Sequence, residues 1–375
     1  KLVRNISIEP PKKGKNLRLS IDLELQKKLF YDFKGRKGAL VAIEPKTGLI
    51  RALISSPTYD PNLLNTINDY DEVRNLFSDQ DSPLFNRALS GQYPPASTLK
   101  PFVGMAALEA KTISWEKEIL DSGEYLVEGD ERPYRGWKEG GHGKVDMNKA
   151  IIESSDVYFY SLAYDLTINN LSPFLEKFGF GKQSGLSIRE GTGILPSRKW
   201  KLGYKGESWF KGDTINMGIG QGYITATPLQ IALAYSALAN KGELVQPRII
   251  EKIGEENTET VIKKNISLID DLNWKRIEKS LLGVVEASNG TANNIYDRNI
   301  RIAGKTGTAQ VKSIIETEYE LLREDKSLRD HALFVGYGPV EEPKLVVVAI
   351  IENGESGSAV AAPLVRKAIN LYSKK

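Results

Sequence analysis

The sequence predicts a fold of the α/β class, α+β in type: an antiparallel sheet assembled from both chain ends, with a large helical insertion between them. Three observations predict it. Two apolar runs near the start, Ala39–Ile43 and Leu49–Ile54, flank the turn Pro45–Gly48. Three strand-like runs, Arg301–Ala309, Leu333–Gly338 and Lys344–Glu352, recur near the end. Residues 97–300 between them are mostly helical in period and rich in turns.

Taken in order, residues 1–35 read as a connecting segment, a polar strand followed by a helix, and residues 36–375 as the main domain. Gly35–Pro57 reads as a β-hairpin, because two apolar runs flank a Pro/Gly turn. The clearest helix of the insertion follows Thr227 and Pro228, an N-cap and a first-turn proline ahead of the apolar run Leu229–Leu238. A closing helix is expected near Ala359–Tyr372. The charged stretches Glu251–Lys264 and Lys312–Asp330 read as solvated loops or exposed hairpins.

Bulk composition narrows the function. With 375 residues, 41% hydrophobic and 26% charged, the chain has material for a sizeable core and is expected to fold as a soluble globule. The net charge of +3 is small beside 51 basic and 48 acidic residues, and no Lys/Arg block is interleaved with aromatics, so no nucleic acid partner is expected. The absence of Cys excludes disulfides, thiolate metal ligands and a Cys nucleophile. No apolar run approaches the roughly 18 residues of a membrane helix, and Lys1–Asn5 is too polar to open a signal peptide.

The chemistry lies in an ordered trio: Ser97 to Lys100 (Ser-x-x-Lys), Ser154 to Asp156 (Ser-x-Asp), and Lys305 to Thr308 (Lys-Thr-Gly-Thr). Single pieces recur elsewhere: Ser-x-x-Lys at Ser114/Lys117 and Ser208/Lys211, Ser-x-Asp at Ser20/Asp22, Lys-Thr-Gly at Lys46–Gly48. Lys46–Gly48 reads as a hairpin turn. The conjunction is what carries weight, since Lys-Thr-Gly-Thr is expected by chance only about 0.005 times in a chain of this length. Pro94 and Pro95 precede Ser97, Pro101 is tolerated only in a first turn, and Phe102–Ala110 is apolar, so a helix should begin at or just before Ser97. That position gives Ser97 the positive end of the helix dipole and free backbone N–H groups that favour an oxyanion. Lys100, three residues on, shares its helical face and can take the hydroxyl proton once burial or a second cation lowers its pKa. Lys305 is the expected second cation, and Gly307 gives a ligand's backbone close access to the strand. Ser154–Asp156 otherwise reads as a helix N-cap. A Ser-His-Asp triad would need His142 or His331, and both read as structural.

On these residues the chain resembles the class B penicillin-binding proteins, whose motif set this is. Tyr93–Pro101, Asp rather than Asn at 156, Gly212–Thr214, Gly218–Tyr223, Ala303–Gln310 and Asp330–Phe334 carry the likeness over about residues 15–370, and point to the elongation-specific branch. The resemblance implies a penicillin-binding transpeptidase or serine β-lactamase-like fold. It implies that Ser97 is acylated by the penultimate D-Ala of a peptidoglycan stem peptide with release of the terminal D-Ala, with Lys100 as base and Ser154 as proton relay to the leaving amine. Asp156 would hold that loop's hydrogen bonds or contact the substrate amide. Lys305 would supply electrostatic stabilisation, Thr306 and Thr308 would bind the substrate carboxylate, and the N–H groups of Ser97 and Thr308 would form the oxyanion hole.

The implied partners are stem peptides on a lipid-linked precursor polymer, β-lactam antibiotics, and the elongation polymerase RodA and scaffold MreC, these last through regions mostly absent here. The implied location is the periplasmic face of a bacterial inner membrane. The family's anchor and pedestal are not in this sequence, so the chain reads as an excised domain. Some relatives bind zinc through Asp, Asp, His and Cys; Asp121 and His142 match two of these positions, but Gly136 replaces the second Asp and no Cys exists, so no metal or other cofactor is expected. A β-lactamase is the hydrolytic alternative, and a β-lactam sensor or inactive scaffold the non-enzymatic one. The Glu-x-x-Leu-Asn pentapeptide of class A β-lactamases does not occur.

Overall fold

A computed structural model describes residues 10–65, 70–129, 132–311 and 328–374. Its centre is a five-stranded antiparallel sheet. The hairpin β1 (Gly38–Ile43) and β2 (Ile50–Ser56) joins β3 (Ala303–Ala309), β4 (His331–Gly338) and β5 (Leu345–Ile351) in the spatial order β3-β4-β5-β1-β2. The seam between the chain ends is β5 on β1, with Val348 opposite Val41 and Ile350 opposite Ala39. β5 is apolar and buried at every position because both sheet faces are covered. α1 (Leu23–Asp32) packs with the closing helix on one face, placing Leu25 and Leu29 in the core.

The other face receives the insertion. It contributes α2 (Lys100–Glu109), α3 (Asp156–Lys177), α4 (Pro228–Ala239) and α5 (Leu272–Glu286); the closing helix, α6, spans Ala362–Ser373. α4 starts as its sequence predicts, with a capping box in which Gln230 N–H donates to Thr227 Oγ1 at 3.2 Å and Thr227 N–H to Gln230 Oε1 at 2.9 Å. All of its residues are buried against β1, β4 and β5, as befits a helix apolar on all sides. α2 crosses α3, and α5 lies along β3, so the site motifs meet where the insertion touches the sheet's outer strand.

Two expectations need adjustment. The insertion is not purely helical: Ile119–Asp121 pairs with Gly143–Val145, Glu124–Tyr125 with Tyr134–Arg135, and Glu243–Val245 with Ile262–Asn265. Strands of two to four residues are too short to leave a period-2 signature. Element ends also shift, since β3 begins at Ala303 and β4 at His331, while a π turn over Gly357–Ala361 delays α6 to Ala362. The charged stretch 251–264 does include the expected hairpin, Ile250–Ile253 pairing with Glu256–Asn257, and its first strand also pairs with Leu17–Leu19. Of the second charged stretch, residues 312–327 lie outside the described residues. No helix among the described residues is long and apolar enough to cross a membrane.

Candidate active site

A single 3-10 turn, Ala96–Leu99, leads into α2, with Pro101 in the first helical turn where no N–H is required. The turn is pinned from two sides. Ala96, at φ +50°, donates its N–H to Gly220 O at 2.9 Å. Gly220 is itself at φ +72°, and a Cβ there would lie 2.1 Å from Ala96 O, so only glycine lets this loop close on the turn. Tyr235 of α4 donates its hydroxyl to Thr98 O at 2.8 Å. Ser97 is thereby held half-buried at the amino end of the α2 helix.

Lys100 is fully buried, and its three ammonium protons have three acceptors: Asp156 Oδ1 at 2.6 Å, Ser154 O at 2.8 Å and Ser154 Oγ at 3.2 Å. The cap role read for the Ser-x-Asp motif falls to its middle residue. Ser155 Oγ accepts from Tyr158 N–H at the start of α3, which frees Ser154 and Asp156 to face Lys100. Ser154 takes φ +59°, a left-handed conformation that turns both its carbonyl and its hydroxyl toward the amine.

A second set of bonds holds this turn from outside. Trp137 donates its backbone N–H to Asp156 Oδ2 at 2.9 Å and its indole Nε1–H to Ser154 O at 3.0 Å. Asp121 Oδ2 accepts from Ser155 Oγ at 2.6 Å and lies 2.6 Å from His142 Nδ1, while Asp121 Oδ1 accepts from Gly123 N–H.

β3 is an edge strand of the sheet and runs beside the Ser97 turn. A Cβ at Gly307 would sit 3.1 Å from Thr98 Cγ2 and 3.2 Å from Leu333 Cβ, so the strand's approach to the turn depends on glycine. Lys305, on the same side, is fully buried, with Nζ only loosely placed 3.5 Å from Thr306 O. Thr306 Oγ1 lies 2.8 Å from Thr291 Oγ1, and Thr308 is exposed, its carbonyl accepting from Gln221 Nε2 at 3.1 Å.

Burial is the leading influence on both amines and pushes both pKa values down. At Lys100 the negative charges of Asp156 and Asp121 oppose it; at Lys305, pushed well below the usual lysine range, the charge of Lys100 adds to it. Of the two causes expected, burial or a second cation, burial is the one that leads at Lys100, and Asp156 works against it.

The trio is therefore assembled, with Lys100, Ser154 and Asp156 in one hydrogen-bonded cluster, Lys305 within its electrostatic reach, and Ser97 one helical turn from Lys100. The duplicate motifs lie elsewhere. Thr47 Oγ1 donates to Glu44 within the β1–β2 turn, Asp22 caps α1, and Lys211 donates to Tyr164 Oη. His331 Nδ1 accepts from Asn353 N–H and, like His142, has a structural partner. Sequence reading gave Asp156 no direct role toward Lys100, and it missed Trp137, Gln221 and Thr291 altogether. Only proximity in the fold marks these, although Gln221 lies within the quoted stretch Gly218–Tyr223.

Residues 38–370 match the family model for the penicillin-binding protein transpeptidase domain. The peptidoglycan D,D-transpeptidase MrdA of Haemophilus influenzae is 41% identical over 379 residues, covering 99% of this chain and 58% of its own length. Among solved structures, Pseudomonas aeruginosa PBP2 in complex with WCK 5153 superposes with a TM-score of 0.88 at 40% identity, over 96% of this chain and 76% of that one. Helicobacter pylori PBP2 in complex with MreC gives 0.83 at 31% identity, over 96% of this chain and 64% of that one. The chain spans a little under three-fifths of the Haemophilus protein, at 58% of its length.

Proposed function

The chain belongs to the penicillin-binding protein transpeptidase family, and on that premise we propose that it is a peptidoglycan D,D-transpeptidase of the elongation type, working through a Ser97 acyl-enzyme and inhibited by β-lactams. The observation that carries the reading is the buried amine of Lys100, one helical turn from Ser97 and bonded to Ser154 and Asp156.

In the proposed cycle, neutral Lys100 takes the Ser97 Oγ proton as Oγ attacks the carbonyl of the penultimate D-Ala. The developing oxyanion is held by the N–H groups of Ser97 and Thr308, where one lost donor costs about 3 to 4 kcal/mol. The bond to the terminal D-Ala breaks, and the leaving nitrogen takes its proton through Ser154, which touches Lys100. An acceptor amine then attacks the ester, forms the cross-linking amide, and returns the proton to Ser97. Lys305 receives the substrate carboxylate together with Thr306 and Thr308. An anion arriving there restores the charge that burial disfavours on Lys305, and the restored charge drives the proton off Lys100, so donor binding arms the base. β3, as an edge strand beside the Ser97 turn, suits an extended peptide that adds as a further strand.

The whole protein is proposed to act on the periplasmic face of the inner membrane, on stem peptides of the lipid-linked precursor polymer. An MreC-like scaffold and a RodA-like polymerase are its proposed partners, with residues 1–35 as a connecting segment ahead of the catalytic domain. The test is D-Ala release from a pentapeptide-bearing glycan polymer, measured together with cross-link formation. Wild type should release D-Ala in step with new cross-links, and Ser97→Ala should do neither. D-Ala release that survives Ser97→Ala would overturn the assignment.

A further inference from the structure

Trp137 donates to the same two groups that hold the Lys100 ammonium. Its indole Nε1–H reaches Ser154 O at 3.0 Å, where Lys100 Nζ donates at 2.8 Å; its backbone N–H reaches Asp156 Oδ2 at 2.9 Å, while Lys100 holds Oδ1 at 2.6 Å. Trp137 as a whole is also 61% exposed, so the core does not require it there. A side chain that gains so little from burial and yet spends both of its N–H groups on one catalytic turn calls for an account beyond packing.

We infer that Trp137 is a positioning residue that competes with Lys100 for its acceptors and thereby favours the neutral, proton-accepting form of that amine. The inference rests on the reading of Lys100 as the base for Ser97. Its physical basis is the sharing of acceptors. An oxygen that already receives one hydrogen bond offers less negative potential to a second donor, and this matters more for the ammonium than for the neutral amine. The groups facing Lys100 are few. Asp156 from α3 and Asp121 from the Ile119–Asp121 strand favour the ammonium; Lys305 from β3 opposes it, as does burial; the Phe159 ring, with its centroid 5.6 Å from Nζ, favours the charge weakly. Two of the three acceptor atoms on Lys100 belong to groups that Trp137 also holds, so Trp137 acts on the larger share of what keeps the amine protonated.

Removing the indole donor strengthens the hold of Ser154 O on the ammonium. The neutral amine then appears at higher pH, and the rising limb of the acylation rate moves to higher pH with it. The experiment is the second-order rate constant of acylation by a fluorescent penicillin, from pH 5 to 10, for wild type, Trp137→Phe and Trp137→Ala. Both variants keep the backbone N–H and lose the indole donor. Both should therefore show the same displaced limb, about 2- to 10-fold slower on the acid side, with plateaus at high pH close to wild type for Trp137→Phe. If the limb stays in place and the rate falls at every pH, or if Trp137→Ala alone moves it, the ring acts as packing and the inference is overturned. Wild type that is not acylated at all would instead remove the reading on which the inference rests.

Discussion

Replacing Lys305 by Met should make the protein more stable and inactive. Lys305 is 0% exposed, its Nζ has only a long 3.5 Å contact to Thr306 O, and the neighbouring charge of Lys100 repels it. Met has a similar length and volume and carries no charge. Exchanging a buried amine whose ionisation burial opposes for a matched apolar side chain should gain about 1 to 4 kcal/mol, the range found when buried ionic groups give way to apolar ones. For a chain of 375 residues each kcal/mol raises Tm by about 1 to 1.5 °C, so Lys305→Met should melt about 1 to 6 °C above wild type. The gain has a defined pH dependence. The folded-state pKa of Lys305 lies below its usual value of 10.5, so unfolding takes up a proton between the two. Wild type therefore gains stability as pH rises toward 10.5, and the advantage of Lys305→Met is largest at low pH and shrinks on going alkaline. The assay is thermal unfolding by circular dichroism across pH, paired with acylation by benzylpenicillin, which should slow by at least about 100-fold. A destabilised Lys305→Met, or an advantage that grows with pH, would refute the view that this amine is held against its solvation preference for the sake of the chemistry.

Asp156→Asn removes the charge that supports the Lys100 ammonium while keeping an acceptor for Trp137 N–H; the rising limb of the acylation pH profile should move to lower pH, the direction opposite to the Trp137 variants. Gly307→Ala places a Cβ 3.1 Å from Thr98 Cγ2 and 3.2 Å from Leu333 Cβ, forcing β3 away from the Ser97 turn; denaturant titration should show a loss of about 1 to 3 kcal/mol, and acylation should slow. Thr227→Ala removes one half of the α4 capping box and should cost about 0.5 to 2 kcal/mol in the same titration, with acylation of the folded protein unchanged.

The sheet was legible because its strands are six to eight residues long, mostly apolar and bounded by Gly/Pro turns, and α4 because Thr227 and Pro228 announce its start. The three motifs were legible because each sits on a strong local signal: a proline-bounded helix start, a capping sequence, and a strand rich in small residues. What stayed hidden was long-range. The Lys100–Asp156 ion pair joins residues 56 positions apart, and nothing in either motif declares it. Trp137 lies in the loop between the two-residue strand Tyr134–Arg135 and the three-residue strand Gly143–Val145, with no periodicity to place its indole over Ser154. The resemblance to zinc-binding relatives directed attention to Asp121 and His142 as ligand positions, whereas the fold uses Asp121 to hold Ser155. Its bonding partners depend on how the Ile119–Asp121 strand lies against α3, which is a tertiary fact.

The account stands most directly on Ser97 as the acylated nucleophile. Intact-protein mass spectrometry over time with benzylpenicillin tests it. Wild type should gain the mass of one drug molecule in a persistent adduct, and folded Ser97→Ala should gain none. An adduct that forms and clears while the drug is consumed would mean hydrolysis rather than transfer, and an adduct that persists in Ser97→Ala would contradict the account.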